Sequence, residues 1–186
     1  GLVRFKQLGK RGGPWPGLVQ LYVAASIDTK TPAKDLSTVE LLYTADVLVA
    51  AKKYAEAAER LALAASRDEP DKTVAGEVLF ELGRCRYYLR DERSAAQTFQ
   101  KMAAEYRGHP QAGQAATYAY ELWGKIAERT KAAADYLELA ATLRNLLESF
   151  ADHPKRVNAQ WLLPAALQLA GRFTEAVTQL QQSVAG

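Results

Sequence analysis

Val78-Leu79-Phe80-Glu81-Leu82-Gly83-Arg84-Cys85-Arg86-Tyr87-Tyr88-Leu89 is followed by a polar joint, Arg90-Asp91-Glu92-Arg93. Then comes Ser94-Ala95-Ala96-Gln97-Thr98-Phe99-Gln100-Lys101-Met102-Ala103-Ala104-Glu105-Tyr106, closed by Arg107-Gly108-His109-Pro110. This stretch decides the fold. Leu79, Leu82 and Arg86-Tyr87 follow one helical period, and Ala95, Phe99 and Met102 follow another, so the spacing predicts two amphipathic helices joined by a short turn. Gly83 and Ala95 are small and fall where the two helices of such a hairpin touch. A hairpin this short cannot bury its apolar faces alone and needs neighbours of its own kind.

Those neighbours lie on both sides. Leu41, Ala45 and Leu48, then Tyr54, Ala57, Leu61 and Ala64, repeat the pattern before Pro70. Aligning Ala57 with Ala95 aligns Ala45 with Gly83 and Leu61 with Phe99, a period of about 38 residues, close to helical repeats of roughly 34. His109-Pro110 closes the opening stretch and His153-Pro154 a further one, each after a helix ending in an aromatic (Tyr106, Phe150), and Phe173, Ala176 and Leu180 end the last unit. The order of small residue, aromatic, Glu-Ala, large apolar residue and closing Pro resembles the tetratricopeptide repeat. It is carried by Ala45, Tyr54, Ala57 and Leu61; by Gly83, Ala95 and Phe99; and by Phe173, Ala176 and Leu180. The resemblance covers about Leu36 to Val184. The style of the stops is similar to divergent repeats of bacterial envelope proteins, which implies an envelope or periplasmic location. It implies an all-α fold, a right-handed superhelix of three to four antiparallel helical hairpins, and is nearly silent about function.

Composition agrees with this class. The chain has 186 residues, 48% of them hydrophobic, which is enough for a core. Ala is abundant, Val and Ile are sparse, and Gly and Pro fall between periodic segments. The net charge of +3 sits in the N-terminal arm: Arg4, Lys6, Lys10 and Arg11 are the only charges among the first twenty residues, leaving 20 basic against 21 acidic beyond them. One cysteine, Cys85, excludes an internal disulfide. No apolar run approaches the roughly 18 residues of a membrane span.

Taken in order, residues 1–34 read as an arm. An irregular Gly1–Gly17 holds the breaker cluster Lys10 to Gly17, and an apolar Leu18–Ile27 looks like the remnant helix of a preceding repeat. Residues 35–186 read as the repeat domain. Helices are expected from Asp35 or Leu36 to Lys52, Tyr54 to Arg67, Lys72 to Leu89 and Glu92 to Tyr106, the last capped by Asp91. Gly108 suits the residue after a helix end. Gln111 to Glu128 and Lys131 to Phe150 follow, and their joint lacks Gly or Pro, so these two are expected to fuse or bend rather than turn. Pro154 to Ala170 and Thr174 to Ala185 complete the chain. Pro164 falls mid-helix, where a bend or a shortened helix is expected.

The catalytic inventory is thin. His109 and His153 occupy equivalent turns and read as turn residues. Two histidines and one Cys without metal-ligand spacing give no metal site, no Ser stands in a nucleophile elbow, and no cofactor motif is present. A protein or peptide ligand is the expected partner. The family's groove positions, carried onto the first helices of the hairpins, include Val39, Leu42, Asp46 and Val49, then Glu77. The aromatic and arginine anchors that such a groove uses are Phe80, Arg84, Tyr87, Tyr88, Tyr120, Trp123 and Trp161, with Arg84 and Tyr88 foremost because a cation can lie on a ring. Two other readings stay open: a segment of a longer solenoid within a multi-subunit complex, and nucleic-acid binding through the basic arm with Trp15, which the neutral repeats do not extend.

Overall fold

The computed structural model describes residues 32–185, with side chains described through Gln182. The arm, Leu18–Ile27 and the basic residues Arg4, Lys6, Lys10 and Arg11 lie outside the described residues. Within them the chain is all-α. A 3₁₀ turn at Ala33–Asp35 precedes α1 (Thr38–Ala50), α2 (Tyr54–Ala65), α3 (Lys72–Tyr88) and α4 (Glu92–Glu105). Then come α5 (Ala112–Thr130), α6 (Ala133–Ser149), α7 (Arg156–Leu169) and α8 (Phe173–Ala185). There is no strand among the described residues.

Local chemistry sets the ends. Ser37, not Asp35 or Leu36, starts α1 through a reciprocal capping box: Ser37 Oγ accepts from the Glu40 amide, and the Glu40 carboxylate accepts from the Ser37 amide. Asp91 caps α4 by accepting from the Ser94 amide at 3.2 Å, as expected. Asp71 Oδ1 accepts from the Thr73 amide at the start of α3.

The turns inside the helix pairs are one device used four times. Lys52, Arg90, Lys131 and Gly171 all have positive φ, at 59°, 64°, 55° and 78°. At three of these joints the left-handed residue donates to a carbonyl three residues back and the next residue to one five back. The bonds are Lys52 to Val49 and Lys53 to Leu48, Arg90 to Tyr87 and Asp91 to Arg86, and Gly171 to Gln168 and Arg172 to Leu167. This is the Schellman closure of a helix end. Lys131 uses the simpler form, donating to Ala127. The joint expected to fuse or bend is therefore a true turn, because Lys131 takes the left-handed conformation that usually selects Gly.

Two of the three stops between pairs are equally alike. At one, the His109 amide donates to Tyr106 O and His109 Nδ1 accepts from the Gln111 amide; at the other, the His153 amide donates to Phe150 O and His153 Nδ1 accepts from the Lys155 amide. Acceptance at Nδ1 places the proton of a neutral ring on Nε2, which for His153 donates to Gly113 O at 3.0 Å. Both histidines are turn residues. Gly108 is not left-handed, since Gly171 is the described glycine with positive φ; the turn around His109 handles that helix end instead. α7 runs unbroken through Pro164, which is buried at the small-residue position also held by Ala45, Gly83 and Gly124. The expected shortening does not occur.

Contacts divide the chain into two units, the first ending at Cys85 and the second beginning at Arg86, inside α3. In the first unit α1 packs on α2. Leu41, Leu42, Ala45, Leu61 and Ala64 share one apolar cluster with Val78, Leu82 and Cys85 of α3. In the second unit α4 packs on α5, α5 on α6, α6 on α7 and α7 on α8. Helices that touch across joints of two or three residues run antiparallel, and packing follows chain order, as in stacked helical repeats.

Candidate functional site

In the first unit the polar side chains of α1 and α3 converge. Asp46 on α1 and Glu77, Glu81 and Arg84 on α3 are all half-buried. Arg84 donates to both Glu81 carboxylate oxygens, at 2.8 and 3.0 Å, from one turn further along the helix. Burial pushes the Asp46 carboxyl up to about 7; Glu81 and Glu77 push the same way, and Arg84 opposes them. Glu77 is raised by burial and by Glu81. The Tyr43 phenol is raised by burial and by Glu77 and Asp46. Cys85 is buried and its thiol is pushed up to about 11, chiefly by desolvation, which keeps it an unreactive core residue. Phe80, expected in the groove, is buried.

In the second unit Tyr87 and Tyr88 are exposed at the end of α3, with ring centroids 6.0 Å apart. Arg86, beside them, turns inward and donates to Thr98 Oγ1 on α4. Tyr120 is half-buried, its phenol raised by desolvation and by Glu121. Trp161 is 56% exposed. Trp123 is 0% exposed and does not line a surface. Its indole Nε1 donates to Gln100 Oε1 at 2.9 Å, and the Arg93 guanidinium sits 5.4 Å from its ring centroid. Arg93 in turn makes a two-pronged pair with the buried Asp135, at 2.7 and 2.9 Å, and Thr130 Oγ1 also donates to that carboxylate. These bonds hold the Asp135 carboxyl below the usual carboxylate range.

Of the seven residues expected to line a groove, Phe80 and Trp123 are thus interior, because a residue on the inward side of its helix fills space before it can meet a ligand. Arg84, Tyr87, Tyr88, Tyr120 and Trp161 keep accessible surface. Glu81 and Tyr43 were not singled out by sequence. The signal for Glu81 was its position three residues before Arg84, and the repeat register aligns Asp46 with Arg84 on successive first helices.

Among the described residues no group of three or more His, Cys, Asp or Glu side chains is placed to hold a metal ion, and no helix is long and apolar enough to cross a membrane. The class defined by fold and surface is an all-helical chain of consecutively packed helix pairs. No protein-family model matches this chain, and no curated protein matches it either.

Proposed function

We propose that this chain is a non-catalytic interaction module, a right-handed stack of hairpins of the tetratricopeptide type that binds a peptide or partner protein on the face of its first helices. The observation that supports the reading is, within each unit taken by itself, a set of charged or aromatic first-helix side chains that keep accessible surface. Asp46, Glu77, Glu81 and Arg84 belong to the first unit; Tyr87, Tyr88, Tyr120 and Trp161 belong to the second. Half-buried carboxylates held together are a poor choice for stability alone. A ligand bearing Lys or Arg gains most from them, and exposed tyrosines supply broad contact with few rotors.

The test is a pull-down with the parent and an Arg84→Glu, Tyr88→Ala double variant of matched helicity, followed by calorimetric titration of each purified candidate. A partner that binds the parent and loses at least tenfold in affinity to the variant supports the reading. Partners that bind both equally remove the surface from α3. A second reading, a scaffold segment stacked within a larger assembly, is favoured by the exposed apolar side chains of α8.

A further inference from the structure

We infer that Arg93 is a register key: by holding Asp135 on α6 and lying on the Trp123 ring of α5, it selects one alignment of the α5–α6 pair against α4. Apolar packing alone barely separates that alignment from its neighbours. The need for a key comes from the sequence of α5, where most of the buried residues are alanine. A slip of α5 by four residues, about one helical turn, puts Ala116 in the place of Ala112, Ala119 in that of Ala115 and Ile126 in that of Leu122. Faces that repeat in this way keep their hydrophobic burial and lose uniqueness of packing.

Trp123 breaks the repeat, since the same slip exchanges it for Ala127. Polar contacts converge on Trp123 and on the joint that follows α5. The Arg93 guanidinium lies 5.4 Å from the Trp123 ring centroid, within reach for a cation to be held by an indole face. The same guanidinium makes its two-pronged bond, at 2.7 and 2.9 Å, to Asp135 in the first turn of α6. Two turns further along α4, Gln100 accepts from Trp123 Nε1 and donates to Glu138 Oε2 on α6 at 3.2 Å.

Asp135 is 3% exposed. A buried ion pair is a weak source of stability beside a well-packed apolar pair of the same volume, and its best-attested role is to fix register. The fork suits that role, because its two parallel bonds form at one alignment, and a one-turn slip leaves Asp135 buried without its arginine. Thr130 Oγ1 also donates to Asp135 and accepts from the Ala132 amide, so the same carboxylate ties down the left-handed joint at Lys131. The pair of Arg129 and Glu92, 64% and 27% exposed, links α5 to α4 as well, but its access to solvent leaves it little hold on the alignment.

The experiment uses the full chain with spin labels at Lys101→Cys on α4 and Glu148→Cys on α6, both exposed positions. Cys85 is 0% exposed and takes no label. Double electron–electron resonance reads the distance between the labels in the parent and in Arg93→Met with Asp135→Leu, which replaces the ion pair by an apolar one. The parent should give one narrow distance. The apolar variant should keep its helical circular dichroism and give a second distance, or a distribution roughly twice as wide. Arg93→Lys keeps the charge, loses the fork and should widen the distribution less, while Arg129→Gln should leave it as in the parent. One narrow distance in the apolar variant, equal to that of the parent, overturns the proposal. Loss of helical content in that variant overturns it too, by making the pair a source of stability instead of register, and so does an Arg93→Lys distribution as narrow as the parent's.

Discussion

Asp46 is where burial has the largest electrostatic consequence. Its carboxyl titrates near 7 in the fold, against an ordinary value of 3.8. Between those values the folded chain holds a proton that the unfolded chain has released. Stability therefore falls as pH rises from about 4 to about 7, and is level above that. Glu77 acts in the same direction, whereas the lowered Asp135 adds stability that is present above its unfolded value and is lost as pH falls further. Asp46→Asn removes the charge and keeps a hydrogen-bonding shape. It should raise stability at pH 8 by on the order of 1 kcal/mol after discounting for solvent reach, and flatten the decline between pH 5 and 7. Thermal melts at pH 5 and pH 8 check this; an unchanged slope would remove Asp46 as its source. Trp123 makes the complementary point. Because it is fully enclosed, Trp123→Ala should cost about 3–5 kcal/mol, measured by urea unfolding, while Trp161→Ala should cost under about 0.5 kcal/mol. Periodicity placed both tryptophans on first helices. It shows which residues share a helical face but not whether neighbours or solvent meet that face, so Trp123 and Phe80 were read as ligand contacts.

At the scale of the element, the helix pairs were legible because apolar periodicity, Asp91 and the His-Pro stops all act locally. The joint after α5 was not, because a left-handed turn is a backbone state that Lys131 adopts at a cost and Gly171 adopts freely. The same holds for α7, where Pro164 predicts a bend or a shortened helix and the helix keeps its full length through it. The four joints allow the cost to be measured. Lys131→Gly should stabilise by about 1 kcal/mol, since the C-cap needs no side chain at that position. Gly171→Ala should destabilise by a similar amount, about 1 kcal/mol. No atom lies within 4 Å of a Cβ built on Gly171, so its penalty is conformational and not a clash. Urea midpoints with unchanged m-values are the readout. Equal stability of both variants and the parent would mean that the joints relax out of the left-handed region.

At the scale of the molecule, stability should follow the order of packing. α4 and α5 lie inside the second unit, and α4 buries Ala95, Ala96, Thr98, Phe99, Met102 and Ala103. α8 carries the same amphipathic pattern, but it packs on α7 and buries little beyond Ala176. In a stack where each helix is held by its neighbours, a helix with one neighbour opens at lower free energy than one enclosed on two sides. Amide exchange should therefore be at least about tenfold faster across α8 than across α4, an opening difference of about 1.4 kcal/mol or more. Mass-spectrometric amide exchange reads this difference. Uniform protection from α4 to α8 would show that the second unit opens as a whole. The exposure of Phe173, Val177 and Leu180 on α8 would then carry no energetic consequence.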